Sequence, residues 1–268
     1  MNRLIARTSI VVIALVGMCL PGIRLAAQEQ PGSSRETLAP LTLQAPEWQK
    51  GPYWIEHNER MLVDFGDLEH FHDADLKLGP PAPGENRVVF MGDSITEGWH
   101  LDQSFPGKPY INRGISGQTS PQMLVRFRQD VIDLKPKVVI ILAGTNDIAG
   151  NTGPMTLEQT EGNLESMAQL AAANHIRVVL CSVLPSVDFP WNPGQIPAPK
   201  IAAVNRWIEA YAAKNHSVYV DYYSAMKDAA GGLPPALSKD GVHPLPAGYA
   251  IMAPLAEAGI EKALKSRE

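Results

Sequence analysis

The sequence predicts an α/β domain, doubly wound about a parallel sheet of about five strands. Apolar runs recur at Arg87–Met91, Tyr110–Ile115, Lys137–Ala143, Arg177–Leu184 and Ser217–Tyr222. Three of them are nearly continuous and rich in β-branched residues, the pattern of strands buried on both faces of a parallel sheet. Helical patterns separate the runs, and strands alternating with helices imply βαβ units.

Each element has a local reason. An N-terminal helix is expected around Tyr53–Phe71, packed across an outer face. In "SPQMLVRFRQDVIDL", Ser120 is read as the N-cap and Pro121 as the first helical residue. Met123, Leu124, Phe127, Val131 and Leu134 then recur at helical spacing. Thr156 and Gln159 have the spacing of a capping box, with Leu157, Leu164, Met167 and Leu170 as an inner stripe. Further helices are expected over Pro199–Lys214 and Pro246–Lys265. The long Pro-rich stretch Pro185–Lys200 carries Phe189 and Trp191 and is read as a stiff wall at the sheet's edge. Trp99 is a candidate second wall.

The chain opens with Arg3 and Arg7, then an apolar run from Ile10 to Leu20, then Ala26-Ala27. That is the order of a secretory signal peptide, with cleavage expected near Ala27 and a secreted or periplasmic destination. The run is short for a membrane span, so no integral span is expected after cleavage. Cys19 keeps a lipoprotein signal open, although Met18 before it fits poorly. Residues 28–46, rich in Gln, Pro, Ser and Glu, read as a flexible lead-in. Residues 47–268 read as one domain with an N-terminal helical segment. Residues 1–27 contain Arg3, Arg7 and Arg24 and no acid, so their removal takes the formal charge from −5 to −8. Such a balance disfavours nucleic acid as a partner. Cys181 would then be the sole cysteine, a small core residue with no disulfide partner.

In open α/β sheets, sites form at the carboxyl ends of strands. Four polar clusters fall there or in a loop able to reach: "GDS" at 92–94, "NRGISG" at 112–117, "GTND" at 144–147 and "DGVHP" at 240–244. Acyl transfer needs an activated hydroxyl, a base, a group to orient the base, and donors for the oxyanion. Ser94 supplies the hydroxyl. His243 is the candidate base, histidine being the side chain whose unperturbed pKa lies nearest neutrality. Asp240 can hold one ring nitrogen. The expected donors are the backbone N–H groups of Ser94 and Gly114 and the Asn146 side chain, with glycine at 114 read as allowing close approach to substrate. Asp93 and Asp147 are expected to brace their loops, Asp93 standing also as a candidate substrate contact.

These four blocks together resemble the SGNH (GDSL-type) hydrolase family over roughly Arg87 to Leu264. The family's Ser, Gly, Asn and His would map onto Ser94, Gly114, Asn146 and His243, with Asp240 as the acid. The resemblance implies a flavodoxin-like three-layer fold, a serine esterase with no metal or organic cofactor, and ester substrates ranging from lipids to acetylated sugars. The spacing also resembles the platelet-activating-factor acetylhydrolase-like branch. The favoured expectation is a short-chain acyl esterase, acetyl first, acting on O-acetylated carbohydrate. A lysophospholipase or aryl/lipid esterase is the alternative, and a carbohydrate-binding protein the non-enzyme rival. A nucleotide binder is disfavoured, because neither a P-loop nor a GxGxxG follows the first strand. "HFHDAD" at 70–75 is not a metal motif, since histidines at i and i+2 do not share a helix face. Oligomeric state is left open.

Overall fold

The computed structural model describes residues 45–266. The expected signal peptide, and all but the last two residues of the expected lead-in, lie outside this range. The elements run α1 (Pro52–Val63), α2 (His72–Leu78), β1 (Val88–Gly92), α3 (Ser94–Glu97), α4 (Leu101–Ser104), β2 (Tyr110–Gly114), α5 (Ser120–Phe127), β3 (Val138–Leu142), α6 (Thr145–Ala149), α7 (Leu157–Ala173), β4 (Arg177–Cys181), α8 (Pro197–Lys214), β5 (Val218–Val220), α9 (Tyr222–Met226) and α10 (Pro246–Lys265). All strand pairs are parallel and the order is β2-β1-β3-β4-β5.

Strand alternation divides the core in two. Val89, Met91, Val139, Ile141, Val178 and Leu180 meet Met123, Phe127, Leu164, Met167, Ile201 and Val204 from α5, α7 and α8. Val88, Phe90, Val138, Ile140, Val179 and Val218 meet Ile95, Trp99, Tyr222, Met252, Ala256 and Ile260 on the other face. This is why the strands read as continuous apolar runs: both faces are covered. Full burial of each Val, Leu, Ile, Phe or Met side chain among them stabilises by about 1.5–3 kcal/mol.

Three expectations are corrected. The single N-terminal helix is two, broken between Asp64 and Phe71, where Asp67 takes φ 54°. Phe71 lies against the Arg113 guanidinium, 4.6 Å from the ring centroid, and Asp75 bonds Arg113. Tertiary contacts, not helical periodicity, fix this segment. The helix after "NRGISG" begins one residue earlier than expected: Thr119 is its N-cap and forms the capping box with Gln122. Ser120 is occupied elsewhere, its N–H and hydroxyl both donated to Asp147. That helix also gives way after Phe127 to a wider π turn over Arg128–Ile132. The Thr156–Gln159 capping box forms as expected, and α10 spans the expected residues.

Candidate active site

The strand order places its reversal between β1 and β3, the position where open sheets of this topology leave a crevice at their carboxyl ends. β1 runs out at Gly92. Asp93 then caps α3, its Oδ1 accepting the Ile95 N–H at 3.0 Å. Ser94 is therefore the first residue of a helix that starts where the strand stops. Its hydroxyl donates to His243 Nε2 at 2.9 Å.

His243 stands on the loop closed by the Ser238–Pro244 bridge and by the Leu245 N–H on the Leu237 carbonyl. Its Nδ1 lies 2.6 Å from Asp240 Oδ2. The other carboxylate oxygen accepts the Ser238 hydroxyl at 3.0 Å and the N–H groups of Val242 at 3.0 Å and His243 at 2.8 Å. Burial alone would raise the Asp240 pKa. The hydrogen bonds from His243 and from the backbone outweigh it and hold the carboxyl below its ordinary range. An ionised Asp240 only accepts, so Nδ1 carries the proton and Nε2 is left free to take one from Ser94. The pair is open to solvent, with side chains 42% and 38% exposed.

Asn146 comes from α6, which follows β3 directly. Its Oδ1 accepts from Asn151 at 3.0 Å, which fixes the amide's orientation. Its Nδ2 donates to the Gln118 carbonyl at 2.9 Å. The second N–H of that amide has only a long 3.4 Å contact with Asp93 Oδ2.

Gly114 does not match its expected role. Its N–H is donated to Asn112 Oδ1 at 2.8 Å. A Cβ on it would collide with the Glu97 backbone, so glycine here lets β2 approach α3 rather than a substrate. Three residues on, Gly117 has φ 78°, a conformation that favours glycine. The Gly117 and Ser94 N–H groups have no acceptor among the described residues. The motif "NRGISG" holds both glycines, and the sequence offered no way to see that the Asn112 side chain would take the Gly114 N–H and leave that of Gly117 free.

A second feature escaped sequence reasoning. Arg126 is fully buried. It donates to the carbonyls of Gly92 at 3.1 Å and Arg113 at 2.9 Å, to Gln118 Oε1 at 2.6 Å and to Asp130 at 2.8 Å. One guanidinium thus ties the end of β1, the end of β2 and the loop carrying Gly117. Its fork of five donors suits such a junction.

Residues 90–251 match the GDSL-like lipase/acylhydrolase family. The chain belongs to that family. It is 30% identical over 168 residues to the esterase TesA of Pseudomonas aeruginosa, which spans 60% of this chain and 77% of that protein. It is 28% identical over 211 residues to an acetylxylan esterase of Geobacillus stearothermophilus, covering 66% of this chain and 93% of the other. A GDSL-like lipase structure from Bacteroides thetaiotaomicron superposes with a TM-score of 0.72 at 49% identity, over 74% of this chain and 99% of that one. The protein is a carboxylic ester hydrolase with the three-layer α/β fold of the GDSL-like enzymes.

Within this GDSL-like site, the remaining expected contacts separate. Trp191 is half-buried beside the histidine, ring centroids 6.1 Å apart. It stacks on buried Phe189 and donates its indole N–H to Asn151 Oδ1 at 3.1 Å. Trp99 is corrected: it is 3% exposed, packed on Phe90, Phe105 and Tyr249, with its N–H on Ser104. It is a core residue. Asp93 is likewise enclosed at 1% exposure and offers no carboxylate to a ligand. Asp147 braces the N-terminus of α5 through Ser120. Among the described residues no group of three or more His, Cys, Asp or Glu is placed to hold a metal ion.

Burial pushes the Asp93 carboxyl up to about 7, with nearby Asp147 adding to the effect. In the unfolded chain the same group titrates near 4. The native state therefore binds the extra proton between about pH 4 and 7, and Asp93 detracts from stability progressively as pH rises through that window, fully above it. For Asp93→Asn, the difference in Tm from the parent is expected to rise between pH 5 and 8. A difference that stays flat across a thermal series would contradict it.

Proposed function

We propose that this esterase is exported and removes short acyl groups, acetyl first, from O-acetylated carbohydrate through an acyl-enzyme on Ser94. The observation that carries the chemistry is the chain of hydrogen bonds from Ser94 Oγ to His243 to Asp240, beside an oriented Asn146 amide. In the proposed reaction, His243 Nε2 takes the Ser94 proton as Oγ attacks the ester carbonyl. The oxyanion is met by the N–H groups of Ser94 and Gly117 and by Asn146 Nδ2. His243 then gives its proton to the departing alkoxide, leaving the acyl group on Oγ. Water, deprotonated by His243, attacks that ester, and the acid leaves as Ser94 regains its proton.

The leader-like order of residues 1–27 supports export. The acetylxylan esterase relative and the half-buried Trp191 beside the histidine support an acetylated sugar. Acyl length is tested by release of p-nitrophenol from acetyl, butyryl, octanoyl and palmitoyl esters, with acetate release from acetylated xylan assayed alongside. Activity that peaks at acetyl and extends to the polysaccharide is expected. A maximum at octanoyl or longer would move the substrate to a lipid ester.

Asn146→Ala removes one oxyanion donor. It is expected to lower kcat by about 10²–10³-fold with little change in KM. A folded variant with the parent's kcat would remove Asn146 from the oxyanion site.

A further inference from the structure

α1 precedes the family-matched segment, yet it packs against the loop that carries Gly117. A Cβ on Gly117 would lie 3.2 Å from the Tyr53 hydroxyl and 3.5 Å from the His57 ring. Between helix and loop is a cavity of about 210 Å³, with Tyr53, His57 and Arg60 on one side and Glu97, Ile115 and Ser116 on the other. Glu97 is the last residue of the helix that Ser94 begins, and Ser116 directly precedes Gly117. The cavity thus adjoins the two segments that would supply the nucleophile and an oxyanion donor.

Most of the polar groups around it are already paired: the Ser116 hydroxyl is donated to Glu97, and Arg60 meets Glu56 and Asp67. The Tyr53 hydroxyl and the His57 ring are the groups left to meet a ligand. His57 Nε2 is buried and has no hydrogen-bond partner among the described residues. Burial lowers the His57 pKa, which keeps the ring neutral near pH 7, with one donor and one acceptor nitrogen. Tyr53 stacks on that ring at 5.9 Å and an interplanar angle of 14°, and Trp54 meets it edge-on. The imidazole is held in place, and its buried nitrogen lacks the partner that such groups ordinarily have. The cavity is smaller than the roughly 300–1,000 Å³ of a drug-sized pocket and suits one ring rather than a chain.

We infer that this cavity is the subsite for the alcohol portion of the ester, a single hydroxyl-rich sugar ring, and that Tyr53 and His57 are specificity-determining residues. The assignment rests on the carbohydrate-ester reading above. It is tested with the parent, Tyr53→Phe and His57→Phe. The first variant removes only a hydroxyl. The second keeps an aromatic ring against Tyr53 and Trp54 but removes both nitrogens. The readout is the ratio of kcat/KM on acetylated xylobiose to kcat/KM on p-nitrophenyl acetate. That ratio is expected to fall by about tenfold or more in each variant, because a site that hydrogen-bonds a substrate hydroxyl discriminates through those bonds. A parent active on the sugar, with both ratios within about twofold of it whatever the absolute rates, would overturn the subsite alone and make His57 a brace for the loop. A parent that turns over p-nitrophenyl acetate but no acetylated sugar would overturn the carbohydrate reading and the subsite with it.

Discussion

Ser94→Ala is expected to lower kcat on p-nitrophenyl acetate by about 10⁶-fold, and His243→Ala by a similar factor. The reason is geometric. The serine stands where β1 gives way to α3, and its hydroxyl already lies 2.9 Å from the nitrogen that would take its proton. Removing either partner removes the covalent route as a whole, so the double variant is expected to be no worse than either single one. Residual turnover of about 10³–10⁴ over water would persist from the oxyanion donors and binding. Steady-state rates on the three purified variants check this. Additive losses in the double variant would mean that the two residues act in separate steps. Neither change threatens the fold, since Ser94 is only partly buried and the His243 side chain is 42% exposed.

Asp240→Asn is expected to cost about 10⁴-fold in kcat while leaving the loop in place. The present Oδ1 accepts three donors, Ser238 Oγ–H and the N–H groups of Val242 and His243. An asparagine oxygen can accept the same three, which turns its NH₂ group towards Nδ1. That nitrogen must then accept, so the ring proton moves to Nε2, the atom that has to take the serine proton. The variant would keep the fold and hold the wrong tautomer. The Asp240 carboxyl also has a pH signature. Its pKa is held below the ordinary carboxylate range, so the stability it contributes is present at neutral pH and is lost as pH falls through its folded-state value. Asp240→Asn should therefore narrow the fall in Tm on acidification. A kcat within about tenfold of the parent would make Asp240 a loop brace rather than the group that orients the base.

Much of this was legible in the sequence. The strands could be read because both faces of the sheet are covered, so β-branched residues run on without a polar interruption. α10 and the Thr156–Gln159 cap could be read because their signals are local. Three of the four polar clusters follow strands and the fourth lies in the loop before α10; β1 and β3 adjoin at the reversal of strand order, which brings Ser94 and Asn146 to one crevice.

What was not legible depends on contacts distant in sequence. Nothing local indicates that Arg126, within an amphipathic pattern, is wholly buried and bonds two strand ends. Gly66 is the local sign of a break in the N-terminal helix, but nothing local shows that Phe71 and Asp75 then meet Arg113. Trp99 reads equally well as a wall or as core, and the ring cluster with Phe90, Phe105 and Tyr249 decides for core. Gly114 and Gly117 differ in which N–H is already taken, and that follows from the Asn112 side chain folding back on Gly114.

The most direct measurement of the central claim is covalent labelling by an alkyl fluorophosphonate, read by intact mass and peptide mapping. The account predicts one adduct per chain, on the peptide containing Ser94, formed in step with loss of esterase activity and absent from Ser94→Ala. An adduct on another residue, or full inactivation of Ser94→Ala's remaining turnover at the parent's rate, would contradict the assignment of Ser94 as the nucleophile.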